Sequence, residues 1–192
     1  MKSDFFTELD VLFDVIEKLN KLHIDYMLTG SLAMNYYAEP RMTRDLDIVI
    51  EIFPKDINRI IDNFQKEYYI TENSVKEALK QVSSFNIIHN LSIIKVDFLI
   101  RKKQEYRKLE FYRKQKIRIL DHEINIVSKE DLIISKLYWA KDSRSEKQKN
   151  DIKNLINTDC DKKYLLKWLK KLKMITFFKE FIDARYFDRD KK

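Results

Sequence analysis

Gly30 is the only glycine in a chain of 192 residues. Average usage near 7% would place about 13 in a chain this long. Almost every turn is therefore made without the residue that takes positive φ freely. One glycine cannot write a Walker A loop or a Gly-x-Gly-x-x-Gly fingerprint, which removes P-loop phosphotransfer and dinucleotide redox chemistry. The glycine that is kept lies in LTGSLAMNYYAEPRMTRDLDIVIEI, residues 28–52. Its retention marks a point where a side chain has no room.

The composition permits an ordinary core: 44% of residues are hydrophobic, enough for one domain or a compact domain with a helical extension. Lys and Arg number 38 against 31 Asp and Glu, a net charge of +7, which favours polyanionic partners such as RNA or DNA. The excess of Lys, Ile, Asn, Tyr and Phe over Gly, Ala and Pro also follows from an AT-rich genome, so charge alone assigns no partner. Cys160 is the single cysteine, so neither an intramolecular disulfide nor a cysteine-built metal site is expected, and a reducing compartment, the cytoplasm, fits. Asp4, Glu8, Asp10 and Asp14 interrupt the amino-terminal apolar run, which is unlike a signal-peptide core or a membrane span.

Apolar residues at helical spacing predict a helix over Phe5 to Leu22. A strand over Tyr26 to Thr29, the glycine turn, a helix over Ser31 to Tyr37 and a strand over Leu46 to Glu51 follow. Pro54 opens a helix over Lys55 to Gln65. Residues 74–82 read as helical, and FNIIH (85–89) and LSIIKVDFLI (91–100) as adjacent strands. The basic, aromatic stretch 101–116 has no clear period and suits either a partly helical segment or a mobile connection. KIRIL and EINIV suit a hairpin or a strand leading into a helix. After Ser128 the pattern is helical: a capped helix to about Lys141, then Glu146 to Ile156, Lys162 to Leu172 and Ile175 to Tyr186. The chain thus divides into a mixed α/β part, residues 1–127, and a helical part, residues 128–192.

Side chains alternate along a strand, so Asp45 and Asp47 share the face opposite Leu46, Ile48 and Ile50. Asp97 stands likewise opposite Val96, Phe98 and Ile100. If the two strands are neighbours, three carboxylates converge on one edge of a small sheet. Such a cluster repels itself unless a divalent cation neutralises it, and oxygen-only ligands favour Mg²⁺ or Mn²⁺. Upstream, the strand-to-helix turn at Gly30 and Ser31 offers free amides and a helix dipole to a phosphate.

These parts, Gly-Ser opening a helix, Asp-x-Asp and a third Asp on a nearby strand, resemble the nucleotidyltransferases of the DNA polymerase beta type. EDLIISKLYWAKDSRSEKQKNDIKNLI, residues 130–156, is similar to the second conserved block of the AbiEii/AbiGii toxin-type nucleotidyltransferases. The resemblance covers most of residues 1–160. It implies an α/β (α+β) fold with a small mixed-sheet core over 1–127 and the helical part packed on it. It implies transfer of a nucleoside monophosphate from an NTP to an acceptor hydroxyl. Asp45, Asp47 and Asp97 would hold metal, with Asp97 also helping to deprotonate the acceptor; Gly30, Ser31 and Arg44 would meet the nucleotide. Lys136 would steady the triphosphate and Asp151 would complete the site, with Arg144 and Lys149 as further phosphate contacts. The acceptor would be RNA, at the 3′ end of tRNA, with a cognate antitoxin as partner. A protein hydroxyl as acceptor (AMPylation) and a non-catalytic binding module of the same fold are the alternatives.

Each residue also has a plainer role. Ser31 suits a helix cap. Lys136, on a face with Leu132, Ile133 and Ala140, suits a lysine with a buried stem. Asp151 suits a surface pair with Lys147, and Arg41 and Arg44 suit bridges to Asp45 or Glu39. His23, His89 and His122 have no metal-ligand spacing.

Overall fold

Among the described residues, seven strands form one mixed sheet in the order β3-β4-β5-β2-β1-β7-β6. The structure, a computed structural model, describes residues 6–143 and 145–181. The strands are β1 (Asp25–Thr29), β2 (Asp45–Glu51), β3 (Tyr68–Tyr69), β4 (Ser84–His89), β5 (Lys95–Ile100), β6 (Gln115–Ile119) and β7 (His122–Ile126). The helices are α1 (Glu8–Lys21), α2 (Gly30–Tyr37), α3 (Ile57–Phe64), α4 (Glu72–Gln81), α5 (Glu105–Tyr112), α6 (Lys129–Ser143), α7 (Glu146–Ile156), α8 (Lys162–Lys171) and α9 (Ile175–Lys179). The described residues fall into two units, one within 1–33 and 41–127, the other within 34–40 and 128–192. The first holds the whole sheet and the second holds α6 to α9. No helix among the described residues is long and apolar enough to cross a membrane.

In the first unit, β2 is flanked by β1, antiparallel, and β5, parallel. Its Leu46, Ile48 and Ile50 are fully buried, as are Val96 and, nearly so, Phe98 across the ladder. Each such side chain is worth about 1.5–3 kcal/mol on burial, so this face fixes the register of both strands. The amphipathic α1 begins at a capping box, where the Thr7 hydroxyl accepts from the Asp10 amide and the Asp10 carboxylate accepts from the Thr7 amide. Its Leu12, Val15 and Ile16 are buried.

Several elements depart from the sequence reading. The first helix starts at Glu8, and Phe5 lies outside the described residues, as does the predicted extension of α9 from 182 to Tyr186. Pro54–Asp56 is a 3₁₀ turn ahead of α3, in keeping with a proline that has no amide to give. The strand predicted from Leu91 begins at Lys95, because Leu91 and Ile93 are exposed at the tip of the β4–β5 connection and Ile93 takes a φ of 59°. Stretch 101–116 contains α5, in line with the partly helical alternative. Its buried positions are Tyr106, Glu110 and Phe111, and a glutamate held by Arg107 at 2.8 Å takes the place of an apolar residue. That substitution hides the period. β6 and β7 form the antiparallel hairpin.

His89 closes β4 with its imidazole buried. Its Nδ1 accepts from the Ser92 amide at 3.2 Å and lies 2.8 Å from the Ser92 hydroxyl. Burial holds its pKa below the ordinary histidine range, and Lys18 acts in the same sense, against the opposing charges of Asp14 and Glu67. The folded protein therefore resists protonation of this ring. The stability it contributes is fully present above the unfolded value, about pH 6.5, and is lost as pH falls through the lower folded value. Denaturation midpoints at pH 7.5 and 5.5 are expected to differ more in the wild type than in His89→Gln.

Candidate active site

The parallel register of β2 and β5 sets Asp47 opposite Asp97 and Asp45 opposite Lys95. With the apolar side chains of both strands on the core face, these four project from the other face. The three carboxylates foreseen from alternation therefore share one side of two adjacent strands.

Asp47 also stands opposite Thr29, the last residue of β1. The next residue is Gly30, which opens α2 at a φ of +69°. A Cβ placed on Gly30 would lie 1.9 Å from Asp47 Oδ2 and 2.6 Å from its Cγ. The single glycine of this chain is thus where the Asp47 carboxylate lies directly against the main chain, in a backbone conformation that disfavours L side chains. Sequence reasoning placed a triphosphate there; the structure supplies an intramolecular reason first.

Lys95 completes the face. Its Nζ is 2.8 Å from Asp97 Oδ2 and 3.6 Å from Asp45 Oδ1. The hydrogen bond to Asp97 is the main influence raising the lysine's pKa, burial opposing it. Among the described residues, no three His, Cys, Asp or Glu side chains are gathered closely enough to hold a metal ion. The ammonium is the cation between two of the carboxylates. Sequence reasoning missed Lys95, although Lys-x-Asp on a strand places both side chains on one face.

At the turn, Arg41 Nη2 donates to Ser31 Oγ at 2.7 Å. Ser31 therefore serves as an acceptor for a guanidinium. Arg44 is exposed directly before β2. A separate cleft of about 310 Å³, lined by Ile50, Phe53, Leu79, Ile100 and Arg101 among others, opens at the far ends of β2 and β5. Its nearest β2 residue, Ile50, is about 10 Å along the strand from Asp47, at the strand rise of about 3.3 Å per residue, and the lining does not include the acidic face.

Lys136 and Asp151 lie in the helical unit, on α6 and α7. Each is only 3% exposed, and Lys136 Nζ donates to Asp151 Oδ2 at 2.7 Å and to Gln148 Oε1 at 3.4 Å. Asp151 is thus buried and held by Lys136, in place of the surface pair with Lys147. The anion that a lysine on an apolar helix face requires is on the next helix. Nearby, the buried Ser128 hydroxyl donates to Asp131 Oδ2 and the Tyr164 hydroxyl to Asp131 Oδ1, both at 2.7 Å. Lys149 pairs with Glu146 at 2.5 Å. Arg144 lies outside the described residues.

Solved structures share this architecture. A nucleotidyltransferase-like antigenic protein from Paracoccidioides brasiliensis matches with a TM-score of 0.54 at 18% identity, over 78% of this chain and 76% of that one. The fold is that of the nucleotidyltransferases. The lincosamide antibiotic adenylyltransferase LnuA, with lincomycin bound, gives a TM-score of 0.54 at 14% identity over 79% of this chain and 97% of its own. The antibiotic-resistance factor ANT(2″)-Ia gives 0.52 at 9% identity over 91% and 92%. No protein-family model matches the chain, and no curated protein matches it in sequence.

Proposed function

We propose that this chain is a divalent-metal-dependent nucleotidyltransferase that moves a nucleoside monophosphate from an NTP to an acceptor hydroxyl. The observation that carries the reading is the pairing of Asp47 with Asp97 across β2 and β5, Asp45 on the same face and the Gly30 turn against Asp47. The donor chemistry is of the kind Mg²⁺ or Mn²⁺ takes, since all three candidate ligands are carboxylates, and the three would have to draw together from the positions they hold here, where an ammonium lies between two of them. When bound, the metal supplies charge neutralisation at the triphosphate and lowers the pKa of a hydroxyl beside it.

Asp45, Asp47 and Asp97 would hold the metal, and Asp97 would take up the proton of the acceptor hydroxyl. The acceptor oxygen then bonds to the α-phosphorus as the bond to the pyrophosphate oxygen breaks. The Gly30 and Ser31 turn would hold the β and γ phosphates, with Arg44 beside the nucleotide. Lys136, kept in place by Asp151, is assigned to the triphosphate and the departing pyrophosphate by resemblance to the toxin-type second block. The net charge of +7 and the same resemblance support RNA, at the tRNA 3′ end, as acceptor, with an antitoxin as partner.

The test is incubation with Mg²⁺, each labelled nucleoside triphosphate in turn, and total RNA, with Asp47→Ala in parallel. Label is expected on a tRNA-sized band, reduced at least about 100-fold in the variant, as for loss of a group that stabilises the transferring phosphate. Label on protein instead would make the enzyme a protein-modifying transferase. Label on an added lincosamide or aminoglycoside would place it with the antibiotic adenylyltransferases sharing its fold. Transfer to none of these, or undiminished transfer by Asp47→Ala, overturns the reading.

A further inference from the structure

Residues 101–118 hold nine Lys and Arg against two Glu, and the structure divides those cations into two sets. Arg101 pairs with Glu51, Arg107 with Glu110, Lys114 with Asp25 and Arg118 with Asp121, and Arg113 also has a partner. Lys102, Lys103, Lys108 and Lys116 are exposed, with no ion-pair partner among the described residues. The aromatics divide in the same way. Tyr106 and Phe111 are buried, whereas Tyr112 is 73% exposed and packs against no other ring among the described residues. We propose that Tyr112, Lys102, Lys103, Lys108 and Lys116 form a docking surface for single-stranded RNA, a base stacking on the tyrosine ring and the lysines meeting phosphates. The choice of RNA rests on the acceptor assigned in the proposed function.

A lone exposed ring is ordinary on a protein surface, so its surroundings decide. Lys108 and Tyr112 are one turn apart on α5, with Cβ atoms about 6 Å apart, close enough for one nucleotide to set its base on the ring and its phosphate at the ammonium. Glu105, a turn further back on that face, has a partner of its own. Lys102 and Lys103 precede α5, and Lys116 lies on β6, which ends the sheet. The platform is firmly mounted. On the inner side of α5 the Lys114 ammonium is 4.2 Å from the centre of the Phe111 ring and 2.9 Å from Asp25. Tyr112 can stack only on a base that is not already held between two others, which favours strand ends and single strands over a duplex. An anionic membrane also attracts lysines, but it takes a broad apolar face turned outward. Within 101–118, Tyr112 is the one large apolar side chain that is exposed.

The measurement is fluorescence anisotropy of a labelled oligoadenylate of about 12 nucleotides, and of an RNA duplex of equal length, titrated with nucleotide-free protein in EDTA between about 50 and 200 mM salt. With neither metal nor NTP present, the result does not depend on transfer. Tyr112→Ala is expected to weaken single-strand binding about tenfold, equal to about 1.4 kcal/mol, to leave duplex binding within about twofold and to melt like the wild type. Tyr112→Trp is expected to bind at least as tightly as wild type. Changing Lys102, Lys103, Lys108 and Lys116 together to Gln should cut the slope of log affinity against log salt by about 3, at about 0.7 per phosphate, and the same loss of charge at Lys21, Lys66, Lys163 and Lys167 by about 1 at most. Equal effects of the two lysine sets, or single-strand binding by Tyr112→Ala within about twofold of wild type, overturns this surface and leaves the transferase reading standing. Binding to vesicles of anionic phospholipid with none to RNA overturns it as well. Binding that depends on Tyr112, in a protein that transfers nucleotide to nothing, keeps the surface and overturns the transferase.

Discussion

Gly30→Ala is expected to destabilise the first unit by about 2–4 kcal/mol and, under the proposed function, to abolish nucleotidyl transfer. Two costs combine. A non-glycine residue at the φ of +69° costs about 1–2 kcal/mol. The added methyl would sit 1.9 Å from Asp47 Oδ2, with the Asp47 Cβ only 2.7 Å away, so a side-chain rotation does not clear the overlap and the start of α2 must shift from the end of β2. Any shift moves the carboxylate at the centre of the acidic face, and a displacement of about 1 Å at a reacting centre can cost about 100-fold in rate. Thermal melting with and without Mn²⁺, alongside the transfer assay, separates the two effects. A variant that melts like the wild type and still transfers label would mean that Asp47 is free to leave this contact.

The second large effect is expected at the buried ion pair of the helical unit. Lys136→Met leaves the Asp151 carboxylate in an apolar interior without its ammonium, and Asp151→Asn leaves the ammonium without its carboxylate. Each is expected to cost about 3–5 kcal/mol, whereas the double variant Lys136→Met with Asp151→Leu should recover most of that loss. At about 2–4 °C per kcal/mol for a chain of this size, each single variant melts roughly 10 °C lower. The double variant also tests function. If it folds and still transfers nucleotide, the pair is a structural tie between α6 and α7; if it folds and transfer is lost, Lys136 acts on the triphosphate. Single variants that melt like the wild type would show that the pair is not closed in solution.

What the sequence could reveal follows from how local each cause is. Alternation within seven residues of β2 places Asp45 and Asp47 together and opposite a buried face, so that part was readable without a partner strand. The pairing that brings Asp97 opposite Asp47 joins segments separated by α3, β3, α4 and β4, and nothing local encodes that register. Strand β3 was missed because two residues carry no periodicity; it is made by Tyr68, whose ring is buried and whose hydroxyl donates to Asp14 at 2.6 Å. Asp151 had a surface charge paired with Lys147 as its plainer alternative to a site role, because its helix, EKQKNDIKNLI, is polar almost throughout. Only its packing against α6 shows which of its carboxylates is inside. Lys95 escaped for a different reason: a lysine beside aspartates looks like surface neutralisation until the distances show two carboxylates converging on it.

The order of the strands in the sheet has a consequence for how the chain is made. β1 has β2 on one side and β7 on the other. Once a ribosome has released the chain through Ile100, β4, β5, β2 and β1 can pair, and Asp45, Asp47, Lys95 and Asp97 can take their places. The other flank of β1 still has no neighbour until β7 emerges at His122–Ile126. At about 5–20 residues per second that interval lasts on the order of seconds. During it the nascent chain carries a finished acidic face and an open strand edge, and that edge is where a second nascent copy could pair with it.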